Sequence, residues 1–227
     1  MTGKLLLCIL PAGQLPGPDC ASSAGPALEG LVIHSLTLWI RSAPHPPAPT
    51  LEEVRAHHAI IADAWNRFPA VLPVRFGEWF ATRGELMAAV EPKVGEYDSA
   101  LTRVTGTGEF SIRILNPALA EAAGPEAPTA TRGTAYLRAA LERTRARARA
   151  EALGRSTAAQ LREALGSLIR EERIEPLPSP HGLVTVAHLI AREREAEYEA
   201  AVARFAESAR ELRFLRTGPW PPWSFTT

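Results

Sequence analysis

The 227-residue sequence is poor in cysteine and has no excess of charge of either sign. Its two cysteines, Cys8 and Cys20, cannot form a disulfide framework or a four-ligand zinc site, and they favour a reducing compartment, the cytoplasm. Lysine plus arginine and aspartate plus glutamate both number 25, so no global field attracts nucleic acid or an anionic membrane. We therefore expect recognition to depend on local surfaces.

Long apolar runs are missing as well. The run LLLCIL near the N-terminus is shorter than the hydrophobic core of a signal peptide. No window approaches the roughly 20 apolar residues that a membrane-spanning helix needs. We expect neither a signal peptide nor membrane insertion.

Motifs of common catalytic and nucleotide-binding sites are absent from the sequence. It has no P-loop, no dinucleotide-binding glycine pattern, no H-E-x-x-H and no nucleophile elbow. The adjacent His57 and His58 would leave a helix in different directions, which disfavours a metal site. The sequence predicts no enzyme, cofactor or metal. One alternative is an enzymatic or small-molecule-binding domain with Glu109, Arg113 and Arg75 as a polar cluster.

Apolar periodicity predicts the elements of the first half. Residues 4–10 and 31–40 read as strands, the second with His34 as a hydrogen-bonded core residue. Thr50 and Glu53 form a capping box that opens a helix. Its apolar stripe is predicted to contain Leu51, Val54, His58, Ile61, Trp65 and Phe68.

A third strand and a second helix follow. AVLPVRFG, residues 70–77, reads as the strand, and Thr82 with Glu85 caps a helix that Pro92 and Gly95 weaken. GEFSIRI then alternates, with Phe110, Ile112 and Ile114 on one face and Glu109, Ser111 and Arg113 on the other. The order ββαβαβ predicts a mainly antiparallel sheet with both helices on one face, a ferredoxin-like sandwich over residues 1–115.

The second half is predicted to be a separate α+β domain. Residues 116–132 are rich in Ala, Pro and Gly and read as a linker. A helix from Gly133 to about Gly154 and another capped by Thr157 predict an αα-hairpin. A buried strand at 183–190, a helix with Tyr198 and Val202 on its apolar face, and a strand at 212–217 complete residues 133–227.

An arginine run, RTRARARA, is the strongest local charge feature. The arginines are two residues apart, so each one lies about 200° around the helix from the previous one. Arg145 and Arg149, with Arg138, therefore share one side of the helix. Neutral overall charge and the lack of interleaved aromatic residues disfavour nucleic acid. The run fits a solvated helix or a protein-facing basic patch.

Four stretches in order carry a family resemblance: LPVRFG (72–77), GTGEFSIRI (106–114), GTAYL (133–137) and GPWPPWSF (218–225). On these motifs the chain resembles the gas vesicle accessory protein F/L family (GvpF/GvpL). The motif residues noted for possible interactions are Arg75, Phe76, Gly77, Glu109, Arg113, Tyr136, Gly218, Pro219, Trp220, Pro221, Pro222, Trp223 and Phe225.

The resemblance implies a non-enzymatic assembly factor with a modified ferredoxin-like N-terminal domain and an α+β C-terminal domain. Its implied partners are the hydrophobic gas vesicle shell protein and other accessory proteins, and its implied location is the gas vesicle and cytoplasm. Such a protein should offer an apolar groove or a sheet edge.

The proline- and tryptophan-rich tail has two interpretations. As a docked segment, Trp220 and Trp223 would bury apolar area against the domains, with the prolines lowering the ordering cost. As a displayed polyproline ligand, it would make the chain a generic two-domain interaction module. We favour the docked interpretation.

Overall fold

The computed structural model describes residues 2–17, 20, 27–118, 133–177 and 182–226. The chain divides into two compact units, Met1–Glu109 with Pro219–Thr227, and Phe110–Gly218. These limits differ from the predicted domains, because the strand at Thr107–Leu115 is divided between the units and the tail belongs to the first. The predicted linker, residues 116–132, lies almost wholly outside the described residues and stays a prediction.

The described residues of the first unit form an antiparallel sheet and three α-helices. Its strands are β1 (Gly3–Pro11), β2 (Leu28–Ile33), β3 (Leu36–Ala43), β4 (Leu72–Pro73) and β5 (Trp79–Phe80), and its helices are α1 (Leu51–Arg67), α2 (Arg83–Val90) and α3 (Val94–Val104). The strand order is β2-β3-β1-β4, and β5 also pairs with β1. Every pairing is antiparallel, in line with the predicted mainly antiparallel sheet. The predicted last strand of the ferredoxin-like sandwich, GEFSIRI, is wrong as a member of this sheet: it pairs in the sheet of the second half, where its apolar face is buried.

The core of this unit forms around β1 and α1. All residues from Leu5 to Leu10 are buried, which explains why this strand reads as a continuous apolar run. The helix residues Ile60, Ile61, Ala64 and Trp65 pack into the same cluster. The side chain of Thr50 accepts the Glu53 amide hydrogen and caps α1, as predicted. The reciprocal half of the capping box does not form, because the Thr50 N–H donates to the Ala48 carbonyl and the Glu53 carboxylate pairs with Arg41.

Two details of the first-half prediction are wrong. His34 is not a core residue: it is exposed, its φ is 51°, and it forms with Ser35 the turn that separates β2 from β3. The predicted strand at 70–77 shortens to β4, because the chain turns at Phe76 and at Gly77, whose φ is 95°. In both cases the turn residues stand within a run of apolar residues, so the apolar pattern alone predicts a continuous strand.

The buried face of α1 is also rotated from the prediction. The buried residues are His57, Ile60, Ile61, Ala64 and Trp65, whereas Leu51 and His58 are exposed. Ile61 and Trp65 are buried as predicted, and His57, Ile60 and Ala64 widen the buried face on one side while keeping the three- and four-residue spacing of an amphipathic helix. The second predicted helix is interrupted by a 3-10 turn at Glu91–Lys93, where Pro92 lies, and it continues as α3.

The described residues of the second unit form a four-stranded sheet and, among other elements, two long helices. In addition to part of β6 (Thr107–Leu115), it contains β7 (Ile169–Pro176), β8 (Gly182–Ala191), β9 (Arg213–Trp220), α4 (Gly133–Leu165) and α5 (Glu195–Ser208), with the strand order β7-β8-β6-β9. Phe110, Ile112 and Ile114 enter its core, as their alternation predicts. Tyr198 and Val202 of α5 pack there too.

The predicted αα-hairpin is wrong, because α4 continues through Gly154 as one helix. A Cβ atom at Gly154 would lie 2.7 Å from Val184 Cγ1 and 3.0 Å from Leu183 Cβ. The glycine therefore allows close approach to β8 and does not end the helix. The hydroxyl of Thr157 donates to the Leu153 carbonyl, a bond made inside a helix rather than at a cap.

Candidate functional site

The candidate site lies in the first unit, where the segment Pro219–Thr226 packs beside the start of β6, α1 and α3; we call it the tail site. Its polar centre is the Glu109 carboxylate, which is 6% exposed. The two oxygens accept separate bonds of 2.7 Å, one from the Ser224 backbone N–H and one from the Ser224 hydroxyl. A charged acceptor makes both bonds stronger than neutral ones.

An aromatic group covers one side of the tail site. The Trp223 ring stacks on His58, with ring centroids 4.6 Å apart and an angle of 23°. His57 lies next to both, 6.4 Å from Trp223, and Phe76 meets His57 edge-on at 5.5 Å. Phe76 of the LPVRFG motif and Trp223 of the GPWPPWSF motif therefore contact the same histidine.

His57 is fully buried, and its Nε2 lies 2.8 Å from the Val74 carbonyl oxygen. A carbonyl accepts only, so Nε2 carries the proton and donates. Burial lowers the pKa of His57 below its ordinary value, and the neighbouring His58 and Arg41 lower it further, although the bond to Val74 opposes this shift. Burial thus favours the neutral form of the ring.

Phe225 anchors the end of the tail site. Its side chain has no exposed surface, and its carbonyl accepts a 3.1 Å bond from Arg103 Nη2 on α3. Pro221 and Pro222 are buried as well. Gly218, just before this segment, has a φ of 119°, a conformation that favours glycine.

The family-motif residues do not all meet at this site. The structure brings together Phe76, Glu109 and the tail residues Pro221, Pro222, Trp223 and Phe225, while Trp220 is 49% exposed. Arg75 is exposed just before the turn that contains Gly77, which is also exposed. Arg113 is exposed and belongs to the second unit. The side chain of Tyr136 lies outside the described part of the structure.

A buried polar group in the second unit was not predicted from the sequence. His188 is fully buried; its Nδ1 lies 2.8 Å from the Tyr198 hydroxyl, and its Nε2 lies 3.0 Å from Glu172 Oε2. An ionised Glu172 only accepts, so Nε2 donates to it and Nδ1 accepts from Tyr198. The available signal was a histidine inside the apolar run LVTVAHLI. This network satisfies its members' hydrogen bonds within the core.

Within the described ranges, three or more His, Cys, Asp or Glu side chains do not group in a geometry that would hold a metal ion. None of the helices in those ranges has the length and apolar content that a bilayer crossing needs. The tail site is thus built from hydrogen bonds and ring contacts within the protein. Such an arrangement holds a chain segment in place.

Comparison with known proteins places these motifs in context. The family model of the gas vesicle synthesis protein GvpL/GvpF matches residues 3–227. The chain belongs to the GvpL/GvpF family. The gas vesicle protein F of Streptomyces sp. (strain CB03234) is 26% identical over 209 residues, which cover 86% of each chain. Membership in this family supports an accessory role in gas vesicles.

Two solved structures share the fold of this GvpL/GvpF protein. GvpF from Anabaena sp. PCC7120 matches with a TM-score of 0.77 and 17% identity, covering 100% of this chain and 97% of the other. GvpF from Microcystis aeruginosa matches with a TM-score of 0.73 and 17% identity over the whole of both chains. At this identity the likeness shows the fold alone.

Proposed function

We propose that this protein is an assembly accessory protein that binds the hydrophobic shell protein, together with other accessory proteins, while gas vesicles form. The observation that carries the proposal is the GvpL/GvpF family match over residues 3–227. We further propose that it acts at the gas vesicle and in the cytoplasm and that it catalyses no reaction.

The edge of the second unit's sheet at β9 supports binding of an apolar partner. β9 is an edge strand, and Leu215 on it is 44% exposed. The opposite edge, β7, has four consecutive charged residues from Arg170 to Arg173, whereas β9 has two separated ones, Arg213 and Arg216. Continuous charge disfavours strand addition. We infer that an extended apolar segment of the shell protein adds to β9.

Co-purification of the shell protein with the full chain tests this edge. Leu215→Lys places a charge on β9, whereas Ile174→Lys places the same charge on β7, where Ile174 is 39% exposed. We expect Leu215→Lys to reduce the co-purified shell protein several-fold and Ile174→Lys to leave it unchanged. Equal retention or equal loss in two folded variants would contradict the assignment to β9.

Gene deletion tests the assembly role itself. In cells without a second family member, deletion should abolish refractile, pressure-collapsible vesicles, and the wild-type gene should restore them. Normal vesicles in such cells would contradict the proposal. If the Leu215→Lys gene also restored vesicles, the assembly role would stand, but the β9 edge would not be needed for it.

The second interpretation, a module that displays its tail as a polyproline ligand, makes a different prediction. Buried Phe225, Pro221 and Pro222 support a docked tail instead. Limited proteolysis distinguishes the two, because a displayed tail is trimmed first and a docked tail is protected.

A further inference from the structure

The N-terminal part of α4 carries an exposed apolar seam. Leu137 is 66% exposed and Leu141 is 49% exposed. Thr144 and Ala148 continue the spacing of four, three and four residues, which is the a/d pattern of a heptad repeat. The Thr144 hydroxyl donates to the Ala140 carbonyl within the helix. We call these four residues the α4 seam.

Arginines flank the α4 seam on both sides. With Leu141 and Ala148 at position a, Arg138 and Arg145 take position e and Arg147 takes position g. All three are exposed. Side chains at e and g of a coiled coil contact the partner helix and decide which partner is accepted.

The ion pairs that these arginines already make within α4 would compete only weakly with an acidic partner helix. Arg145 pairs with Glu142 at 3.0 Å and Arg147 with Glu151 at 3.3 Å, but both arginines are more than half exposed. Exposed pairs within one helix contribute little to stability, so an acidic partner can replace them.

The charge pattern selects the class of partner. A second copy of this chain carries only Arg138, Ala140, Arg145 and Arg147 at positions e and g of the seam, so it offers these arginines no acidic partner. Nucleic acid fits poorly, because Glu142 and Glu151 lie among the arginines, and the stretch from Leu137 to Glu151 has no aromatic residue for base stacking.

From this arrangement we propose that the α4 seam binds an amphipathic helix of another protein, with apolar residues at a and d and glutamate or aspartate at e and g. This interaction is separate from shell-protein binding at β9, since it uses a different element and a different chemistry. It gives an accessory protein a second docking surface, specific for acidic helices.

The experiment uses the full chain and two labelled peptides of about three heptads, with leucine at a and d. One peptide has glutamate at e and g, and the other has lysine there. Fluorescence anisotropy should show binding of the glutamate peptide, weakened by salt, and at least about tenfold weaker binding of the lysine peptide.

Two charge-matched variants locate the surface. Arg145→Glu with Arg147→Glu reverses positions e and g, whereas Arg143→Glu with Arg149→Glu makes the same charge change at outward positions c and b. The first variant should bind the glutamate peptide about tenfold more weakly and prefer the lysine peptide. The second should keep the wild-type preference, and circular dichroism should show both folded.

The gained preference for the lysine peptide could not come from misfolding. Equal weakening by both variants would reduce the effect to general charge and overturn the proposal. Three other results would also overturn the proposal. The glutamate peptide could fail to bind, or duplex DNA could bind more tightly than that peptide. The chain could also form a dimer that the double variant Arg145→Glu with Arg147→Glu dissociates.

Discussion

Gly154 and Gly95 are both helical glycines, yet their surroundings predict opposite effects of alanine. A Cβ at Gly154 would meet Val184 Cγ1 at 2.7 Å, while a Cβ at Gly95 would meet nothing within 4 Å. We expect Gly154→Ala to lower the free energy of unfolding by about 1 kcal/mol, since crowding outweighs the gain in helix propensity. Urea unfolding measures the change.

Gly95→Ala is the matched control. It should raise the free energy of unfolding by about 0.5–1 kcal/mol, because the same propensity gain meets no crowding. If Gly154→Ala were stabilising to the same extent, the close approach of α4 to β8 would not exist in solution.

Glu109 and Ser224 should depend on each other energetically. Glu109→Ala leaves two donors of Ser224 without this acceptor and should cost about 1–3 kcal/mol, whereas Ser224→Ala removes only the hydroxyl and should cost about 1 kcal/mol. A double-mutant cycle by urea unfolding should give a coupling energy above about 0.5 kcal/mol. Additive effects would show that the two residues do not interact.

At the scale of elements, two tryptophans of the tail allow a matched comparison of a docked and an exposed side chain. Trp223 stacks on His58, whereas Trp220 is 49% exposed. Trp223→Ala should lower the unfolding midpoint and speed protease trimming of the tail, at a cost of about 1–3 kcal/mol. Trp220→Ala should cost clearly less. A larger effect of Trp220→Ala would contradict the docking geometry.

Elements with strong periodicity were predictable from sequence. The buried run of β1, the alternation in β6 and the capping box of α1 each follow from local patterns. β7 was missed because its sequence IREERIEP has no apolar alternation, and an edge strand does not need one. Gly154 was misread because propensity cannot reveal what packs against a helix.

The tail site was predictable only in part. Family motifs identified Glu109 and the terminal residues, but the bond between Glu109 and Ser224 joins positions 115 residues apart. Periodicity carries no information at that separation. His57 was missed as a contact of Trp223, since its neighbour His58 fitted the predicted stripe better.

At the scale of the whole molecule, buried His57 predicts acid sensitivity. Its folded pKa lies below the unfolded value of about 6.5, so the unfolded chain binds more protons between the two values. The free energy of unfolding should therefore be highest above pH 6.5 and fall as the pH drops toward the folded pKa. Urea unfolding at about pH 7.5 and pH 5.5 measures this fall.

Two glutamine variants test whether His57 causes this loss of stability at lower pH. His57→Gln can still bond to the Val74 carbonyl but does not titrate, so the loss of stability between the two pH values should shrink. His45 is exposed, and His45→Gln should leave that loss unchanged. An unchanged pH dependence in His57→Gln would show that another group controls it.

The first unit is assembled from two stretches of chain, with Phe110–Gly218 between them. During translation, Glu109 is therefore made well before Ser224, and all of the second unit emerges from the ribosome in the interval. The carboxylate lacks these two donors until the tail arrives, so the first unit cannot complete its fold as it is synthesised. Docking of Pro219–Thr226 therefore follows the synthesis of the whole second unit, so the first unit completes its fold later than its position at the start of the chain suggests.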